Sequence, residues 1–150
     1  MLILANGDWT GSERLRSLLA SSDHVIAADG GYPKALAHGV HVDEVVGDLD
    51  SILEPERRRL IDAASPVVSA FPCDKNWTDL DLAVDHALRR SPARIILFGA
   101  LGDRIDQSLT NLHLLEKGHR AGVPILLAAG RETAQLVAEE LVLGDVEVGD

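Results

Sequence analysis

The chain has 150 residues, of which 46% are hydrophobic and 25% are charged. This length and composition indicate one soluble globular domain and exclude an intrinsically disordered protein. The formal net charge of −10 argues against nucleic acid or an anionic membrane as a partner. A small anionic ligand stays possible, because salt screens distant charges beyond about 8 Å.

The chain contains a single cysteine, Cys73, so no disulfide can form within it. Unpaired cysteine is typical of a reducing compartment. The apolar start of the sequence lacks the basic segment of a secretory signal, and no stretch approaches the length of a membrane span. We therefore expect a cytoplasmic protein that is not embedded in a membrane.

Short apolar runs alternate with helical patterns along the chain. The predicted strands are Leu2 to Ala5, Val25 to Ala28, Val45 to Val46, Val67 to Phe71, Ile95 to Phe98 and Ile125 to Ala128. The predicted helices are Ser12 to Ala20, Pro33 to His38, Pro55 to Ala63, Asp79 to Arg90 and Ile105 to His119. The strands are continuously apolar, as in parallel strands that are buried on both faces. This pattern predicts an α/β fold: a doubly wound, mostly parallel, Rossmann-like sheet with helices on both faces, in three layers.

The last segment of the chain has a different pattern. Thr133 to Val137, Leu141 to Leu143 and Val146 to Val148 are typical of antiparallel strands. We therefore assign residues 1–130 to the α/β domain and residues 131–150 to the start of a second, β-rich domain.

Two carboxylates follow the third predicted strand, in the segment Val46-Gly47-Asp48-Leu49-Asp50-Ser51. In extended backbone, Asp48 and Asp50 would point to the same side. Two like charges that close favour a cation between them, and Mg²⁺ is the hard divalent ion that prefers oxygen ligands. A solvated acidic turn is the alternative, because Gly, Asp and Ser are ordinary turn residues.

Aspartate recurs in the loops after five predicted strands. These loops are Asn6-Gly7-Asp8, Asp29-Gly30-Gly31, Gly47 to Ser51, Pro72 to Asp79 and Gly99 to Gln107. Ligands of an open α/β sheet bind in the crevice beyond the carboxyl ends of the strands. A sheet without a ligand has no need for an aspartate in each of these loops, so the recurrence favours the metal site over the acidic turn.

Several loop residues have a binding role and an alternative. Gly30 and Gly31 would let the backbone approach a phosphate or ribose, or would only form a tight turn. Asp79 begins a helix whose N–H groups favour an anion, and it is either a third carboxylate for the ion or a partner of the helix dipole. Lys75 and Arg104 are the cations best placed for phosphate oxygens, although each alone would be an ordinary surface charge.

Other nucleotide and metal motifs are absent from the sequence. It contains neither the G-x-x-x-x-G-K-[ST] motif of P-loop proteins nor a G-x-G-x-x-G motif after the first predicted strand. Its six histidines show no zinc-ligand spacing with the cysteine. These observations disfavour a P-loop protein, a dinucleotide oxidoreductase and a zinc site.

Taken together, these loops resemble the N-terminal catalytic domain of thiamine pyrophosphokinases. The matching segments, in the family's order and reaching to about Asn111, are Asn6-Gly7, Ala28-Asp29-Gly30-Gly31, Gly47-Asp48-Leu49-Asp50-Ser51, Lys75 with Thr78-Asp79, and Gly99-Ala100-Leu101-Gly102 with Arg104 and Asp106. The resemblance implies transfer of pyrophosphate from ATP to the hydroxyl of thiamine, which gives thiamine diphosphate and AMP. It also implies a homodimer with active sites at the subunit interface.

The resemblance further implies the site residues. The catalytic residues are expected to be Asp48, Asp50, Asp79, Arg104 and Asp106, and the first three would hold Mg²⁺. Contacts to ATP are expected from Asn6, Gly7, Asp29, Gly30, Gly31, Ser51, Lys75, Thr78, Gly99, Gly102, Arg104 and Gln107. Asp106 is either a general base or a metal ligand, and the sequence leaves both open.

The chain departs from the family's pattern in three ways. Gln107 stands where the family usually has His, and an amide cannot carry a proton at neutral pH. Asp103 stands where the family has Gly and adds negative charge near the expected phosphate site. The thiamine-binding domain is represented only by residues 131–150. Two alternatives therefore stay open: a pyrophosphokinase for another small alcohol, such as a hydroxymethylpterin, or a nucleotide-binding domain that is inactive.

Overall fold

The structure is a computed structural model that describes residues 1–10, 12–63, 65–71, 77–102 and 104–139. Its elements are β1 (Leu2–Leu4), α1 (Ser12–Ala20), β2 (Val25–Ala28), α2 (Gly31–Ala37), β3 (Glu44–Gly47), α3 (Glu54–Asp62), β4 (Val67–Ala70), α4 (Asp79–Leu88), β5 (Ile95–Phe98), α5 (Ile105–Arg120), β6 (Ile125–Ala129) and β7 (Glu132–Gln135). The predicted alternation of strands and helices is confirmed, and no element end differs from the prediction by more than two residues.

The strands form one sheet in the order β4-β3-β2-β1-β5-β6-β7. Strands β1 to β6 are parallel, and β7 runs antiparallel to β6. The strand order reverses between β1 and β5, which makes their carboxyl ends the topological switch point where α/β sheets bind ligands. The predicted doubly wound, mostly parallel sheet is confirmed.

Two apolar cores lie on the two faces of the sheet, which confirms the three layers. On one face, strand residues such as Ile3 and Leu97 pack with residues of α4 and α5, among them Leu114. On the other face, residues such as Phe98 pack with Leu60 of α3 and with residues of α1 and α2. The central strands are buried on both sides, which explains their continuous apolar sequences.

Three helices begin with residues that suit a helix N-terminus. Thr78 caps α4, and its Oγ1 accepts a hydrogen bond from the N–H of Asp81 at 3.1 Å. Pro33 and Pro55 lie in the first turns of α2 and α3, where a missing N–H costs no helical hydrogen bond. Among the described residues, every helix is too short or too polar to span a lipid bilayer.

A buried carboxylate anchors α4 at one end of the sheet. The loops with the predicted site residues lie at the opposite end. Glu44, the first residue of β3, is only 2% exposed. Its oxygens lie 2.7 Å from Nε2 of His86 and 2.6 Å from Nη2 of Arg90, and Ser69 of β4 donates a hydrogen bond to it at 2.6 Å. A paired buried charge of this kind is costly to break. The network therefore holds the end of α4 against β3 and β4.

The segment from residue 131 onward contributes β7 to the same sheet, in the antiparallel orientation that its sequence predicts. Leu141 to Leu143 and Val146 to Val148 lie outside the described residues. The assignment of residues 131–150 to the start of a second domain therefore stays a prediction.

Two neighbouring residues of α3 test the core assignment. Leu60 is 2% exposed and Ile61 is 58% exposed. We expect Leu60→Ala to lower the free energy of unfolding by about 2–5 kcal/mol, because it leaves a cavity in the core. The control Ile61→Ala should change it by no more than about 0.5 kcal/mol. Urea denaturation measures both, and equal losses would contradict the packing of α3.

Candidate functional site

A cleft of about 630 Å³ opens at the carboxyl ends of β1 and β5, where the strand order reverses. The loops after β1, β2, β3 and β5 and the starts of α4 and α5 form its walls. The predicted site residues that line it are Asn6, Gly7, Asp29, Gly30, Ser51, Thr78, Asp79, Gly99, Gly102, Arg104, Asp106 and Gln107. The fold therefore brings together residues from segments that are far apart in the sequence.

Three of the predicted residues that the structure describes do not line this cleft. Gly31 is buried against β1 at the start of α2. Asp48 and Asp50 lie in a carboxylate cluster with Asp29, which does line the cleft. Lys75 lies outside the described residues.

The carboxylates of Asp29, Asp48 and Asp50 converge at the ends of β2 and β3. One oxygen of each lies within 4.8 Å of the others. Asp29 is 3% exposed, and its Oδ1 is buried without a hydrogen-bond partner among the described residues. Three converging carboxylates with a buried, unsatisfied oxygen fit a hard divalent cation.

The turn that carries Asp48 and Asp50 is not extended, so the predicted backbone conformation is wrong. β3 ends at Gly47, and Leu49 has a left-handed backbone with φ of 63°. The N–H of Asp50 donates to Oδ1 of Asp48 at 3.1 Å, and the Leu49 side chain is buried in the core. This local hydrogen bond and the burial of Leu49 favour a turn over a continued strand. The turn, rather than strand alternation, brings the two carboxylates together.

Asp79 lies against this cluster at the start of α4. Its burial, and then the charges of Asp29, Asp48 and Asp50, raise the pKa of Asp79 from 3.8 to about 6. Burial likewise raises the pKa of Asp29. A Cβ on Gly47 would lie 2.8 Å from the Cβ of Asp29 and 3.1 Å from Oδ1 of Asp79, so glycine permits this close approach. A bound cation would relieve the repulsion that adds to the effect of burial on both pKa values.

The loops after β1 and β5 are joined by their backbones. The N–H of Gly7 donates to the carbonyl of Gly99 at 2.7 Å, and the N–H of Asp8 donates to the carbonyl of Leu101 at 2.8 Å. A Cβ on Gly7 would overlap with both of these carbonyl oxygens. Glycine is therefore required for the loops to meet, and these two N–H groups serve the protein rather than a ligand.

Three cleft residues that the sequence analysis did not select hold these loops. The Nζ of Lys34 donates to two carbonyls of the loop after β1, at 2.7 and 2.5 Å. The indole N–H of Trp9 donates to the carbonyl of Ala5 at 2.7 Å. The side-chain amide of Asn111 donates to the carbonyl of Ala100 at 2.6 Å. All four bonds run from a side chain to a backbone carbonyl and so fix the cleft walls.

Spacing along a helix is a sequence signal that could have identified Lys34 and Asn111. Arg104, Gln107, Ser108 and Asn111 follow the i, i+3, i+4, i+7 spacing of one helix face, and all four line the cleft. Lys34 lies four residues after Gly30, one helical turn further along α2.

Arg104 and Asp106 form an exposed ion pair at the rim of the cleft. The Nη2 of Arg104 lies 2.5 Å from Oδ2 of Asp106, and its Nε lies 3.2 Å from Oδ1. Hydrogen bonds from Arg104 lower the pKa of Asp106. While the pair is intact, Asp106 is a poor proton acceptor and Arg104 is engaged. The neighbouring Asp103 lies outside the described residues.

The raised pKa of Asp79 predicts a pH-dependent stability of the metal-free protein. The folded state holds this proton up to about pH 6, whereas the unfolded state releases it near 3.8. The free energy of unfolding should therefore fall as the pH rises through this interval. Asp79→Asn has no proton to release and should flatten the fall.

Urea denaturation at several pH values in the presence of EDTA measures this effect. The exposed Asp62, at the end of α3, provides the control Asp62→Asn, which should keep the wild-type profile. If the free energy of unfolding of Asp79→Asn varied with pH as it does in the wild type, the raised pKa of Asp79 would be contradicted.

Comparisons with known proteins identify a family for this fold and cleft. Residues 15–127 match the family described as "Thiamin pyrophosphokinase, catalytic domain". The thiamine pyrophosphokinase of Bacillus subtilis (strain 168) is 43% identical over 102 residues, which are 68% of this chain and 47% of the relative. The chain thus spans about half the length of this curated relative.

Solved structures of such proteins share the architecture. The crystal structure of the Bacillus subtilis thiamine pyrophosphokinase matches with a TM-score of 0.66 and 36% identity, over 85% of this chain and 59% of that chain. A thiamin pyrophosphokinase family protein from Enterococcus faecalis matches with a TM-score of 0.71 and 30% identity, over 85% of this chain and 60% of that chain. The matching fold and sequence show that the chain belongs to the thiamine pyrophosphokinase family.

Proposed function

We propose that the cleft binds Mg²⁺ and ATP, and that the protein transfers pyrophosphate from ATP to the hydroxyl of thiamine. The products are thiamine diphosphate and AMP. One observation carries this proposal: the carboxylates of Asp29, Asp48, Asp50 and Asp79 converge beside the cleft. The chain also belongs to the thiamine pyrophosphokinase family. The chain spans about half the length of its curated relative. The activity that the relative's name states is therefore proposed for this chain.

Asp48, Asp50 and Asp79 are the proposed Mg²⁺ ligands, and Asp29 is close enough to join them. Support comes from the oxygen-only donor set, the unsatisfied Oδ1 of Asp29 and the raised pKa values of Asp29 and Asp79. When bound, Mg²⁺ would neutralise negative charge on the phosphate oxygens during transfer.

The basic residues have proposed roles that are linked to those of the acids. Arg104 would exchange its bond to Asp106 for a phosphate oxygen, and Lys75 would bind phosphate as well. Once Arg104 has moved, its hydrogen bonds, which are the largest cause of the lowered pKa of Asp106, are lost. Asp106 would then accept a proton more readily, which supports its role as a general base over that of a metal ligand.

The proposed reaction is a single displacement at phosphorus. The thiamine hydroxyl oxygen forms a bond to the β-phosphorus, and the bond from that phosphorus to the oxygen bridging to the α-phosphate breaks. AMP leaves with the electron pair, and the hydroxyl proton passes to the base. The protein mainly positions the reactants and balances charge, which is what a fixed cleft with charged walls supplies.

The cytoplasm is the proposed location. The reaction consumes ATP, and the single cysteine gives the chain no internal disulfide that would require an oxidising compartment.

An AMP-release assay with Mg²⁺, ATP and thiamine tests the function. We expect thiamine-dependent AMP formation by the wild type, and a fall of about 100-fold or more for Asp48→Asn, because the metal site loses a charged ligand. The control Asp62→Asn should retain wild-type activity. Full activity of Asp48→Asn would contradict the metal assignment.

The same assay separates the alternatives. AMP release with a hydroxymethylpterin but not with thiamine would indicate a different acceptor. ATP binding without AMP release with either alcohol would indicate a nucleotide-binding domain without catalysis. Family membership favours thiamine over both.

A homodimer with active sites at the interface is also part of the proposal. Ile105, Leu109 and Leu112 of α5 are 74%, 63% and 40% exposed. Their spacing places them along one side of the helix, starting beside Arg104 at the cleft rim. An exposed apolar stripe of this kind is typical of an interaction surface.

Sedimentation velocity tests the dimer. We expect the wild type to sediment as a dimer and Leu109→Lys as a monomer, because the lysine places a charge within the stripe. The control Ile61→Lys carries the same change on α3, whose side chains pack on the opposite sheet face, and should stay dimeric. A monomeric wild type would contradict this part of the proposal.

A further inference from the structure

Lys34 lies in the wall of the cleft and is held in place by the loop after β1. It is half-buried, and it lines the cleft from α2. Its Nζ donates to the carbonyl of Asn6 at 2.7 Å and to the carbonyl of Gly7 at 2.5 Å. A lysine ammonium has three N–H donors, so these two bonds fix its position and leave one donor for another group.

The charge of Lys34 has no carboxylate partner. Among the described residues, no carboxylate oxygen lies within 4 Å of its Nζ. The nearby Asp8 has its pKa lowered first by hydrogen bonds from Thr10 and only to a lesser degree by the charge of Lys34. Carbonyl dipoles stabilise an ammonium but do not cancel its charge, so Lys34 contributes a full positive charge to the cleft wall.

This arrangement differs from that of Arg104. In the described part of the cleft lining, Lys34 and Arg104 are the basic residues. The Arg104 side chain is 66% exposed and already paired with Asp106. Lys34 is therefore the cation that is both fixed and available before a ligand arrives.

Lys34 also lies close to the acidic end of the cleft. A Cβ on Gly30 would meet the side-chain nitrogen of Asn6 at 2.6 Å, so the loop that Lys34 holds packs directly against the turn that carries Asp29. A ligand in this cleft would meet the carboxylate cluster, which is the proposed metal site, and a fixed ammonium on adjoining loops. An oligophosphate chelated by a divalent cation is the ligand class that matches both.

We propose that Lys34 binds a phosphate oxygen of an oligophosphate ligand and so helps to select ligands by their charge. The identity of that ligand as ATP rests on the proposed function, whereas the oligophosphate class rests on the geometry around Lys34. Its two carbonyl bonds make the ammonium preorganised, since little side-chain entropy is lost when phosphate binds.

A competing explanation is that Lys34 only clamps the loop after β1. The two explanations differ in what they predict for uncharged ligands. Loss of a clamp disturbs the cleft for every ligand, whereas loss of a phosphate contact weakens binding only when the ligand carries phosphate.

Isothermal titration calorimetry in Mg²⁺ with inorganic tripolyphosphate, ATP and adenosine separates them. We expect Lys34→Met to weaken tripolyphosphate and ATP binding by about tenfold or more, with adenosine binding unchanged within about twofold. Lys34→Arg keeps the charge and should restore part of the loss. Arg120→Met removes an exposed cation at the end of α5 and is the charge-matched control, expected to bind all three ligands as the wild type does.

Equal weakening of adenosine and ATP, or unchanged tripolyphosphate binding, would overturn the inference. Thermal denaturation of Lys34→Met shows whether it is folded, and Lys34→Arg carries the comparison if it is not. Lys34-dependent tripolyphosphate binding without AMP formation from ATP and thiamine would overturn the proposed function alone. A wild type that binds neither oligophosphate would overturn both.

Discussion

Repulsion among the carboxylates at one edge of the sheet is the interaction on which the rest of the site depends. Asp29, Asp48 and Asp50 present oxygens within 4.8 Å of one another, and their charges help to raise the pKa of Asp79 to about 6. Holding such groups together without a cation costs free energy, which the packing of the sheet must offset. That packing comes from the buried central strands and from the Glu44 network at the far end of α4.

Neighbouring walls of the cleft differ in charge. The loops after β2 and β3 bring the carboxylates, while the loop after β1 is held by the Lys34 ammonium and joined to the loop after β5. A net charge of −10 therefore does not exclude a polyanionic ligand, because local groups dominate within a Debye length. The proposed metal at the acidic wall and the Lys34 ammonium at the adjoining wall would together complement a phosphate chain.

Family membership and site geometry support each other without being the same finding. The family match covers residues 15–127, which include the carboxylate cluster and the whole of α5. The relatives extend well beyond the part that this chain covers. The proposed roles in binding ATP and Mg²⁺ rest on the described residues of the cleft and of the carboxylate cluster.

The sequence by itself determined the order of strands and helices, the Thr78 cap and the sheet edge at which the aspartates gather. These features depend on local periodicity, capping and the rule for parallel sheets, so they can be predicted from neighbouring residues. Only the tertiary structure decided that Asp29 joins Asp48 and Asp50, that Leu49 adopts a left-handed turn, and that Lys34 is fixed by a loop 27 residues earlier in the chain. Such contacts depend on how segments that are far apart in the sequence pack together. The pattern within a single segment therefore cannot predict them.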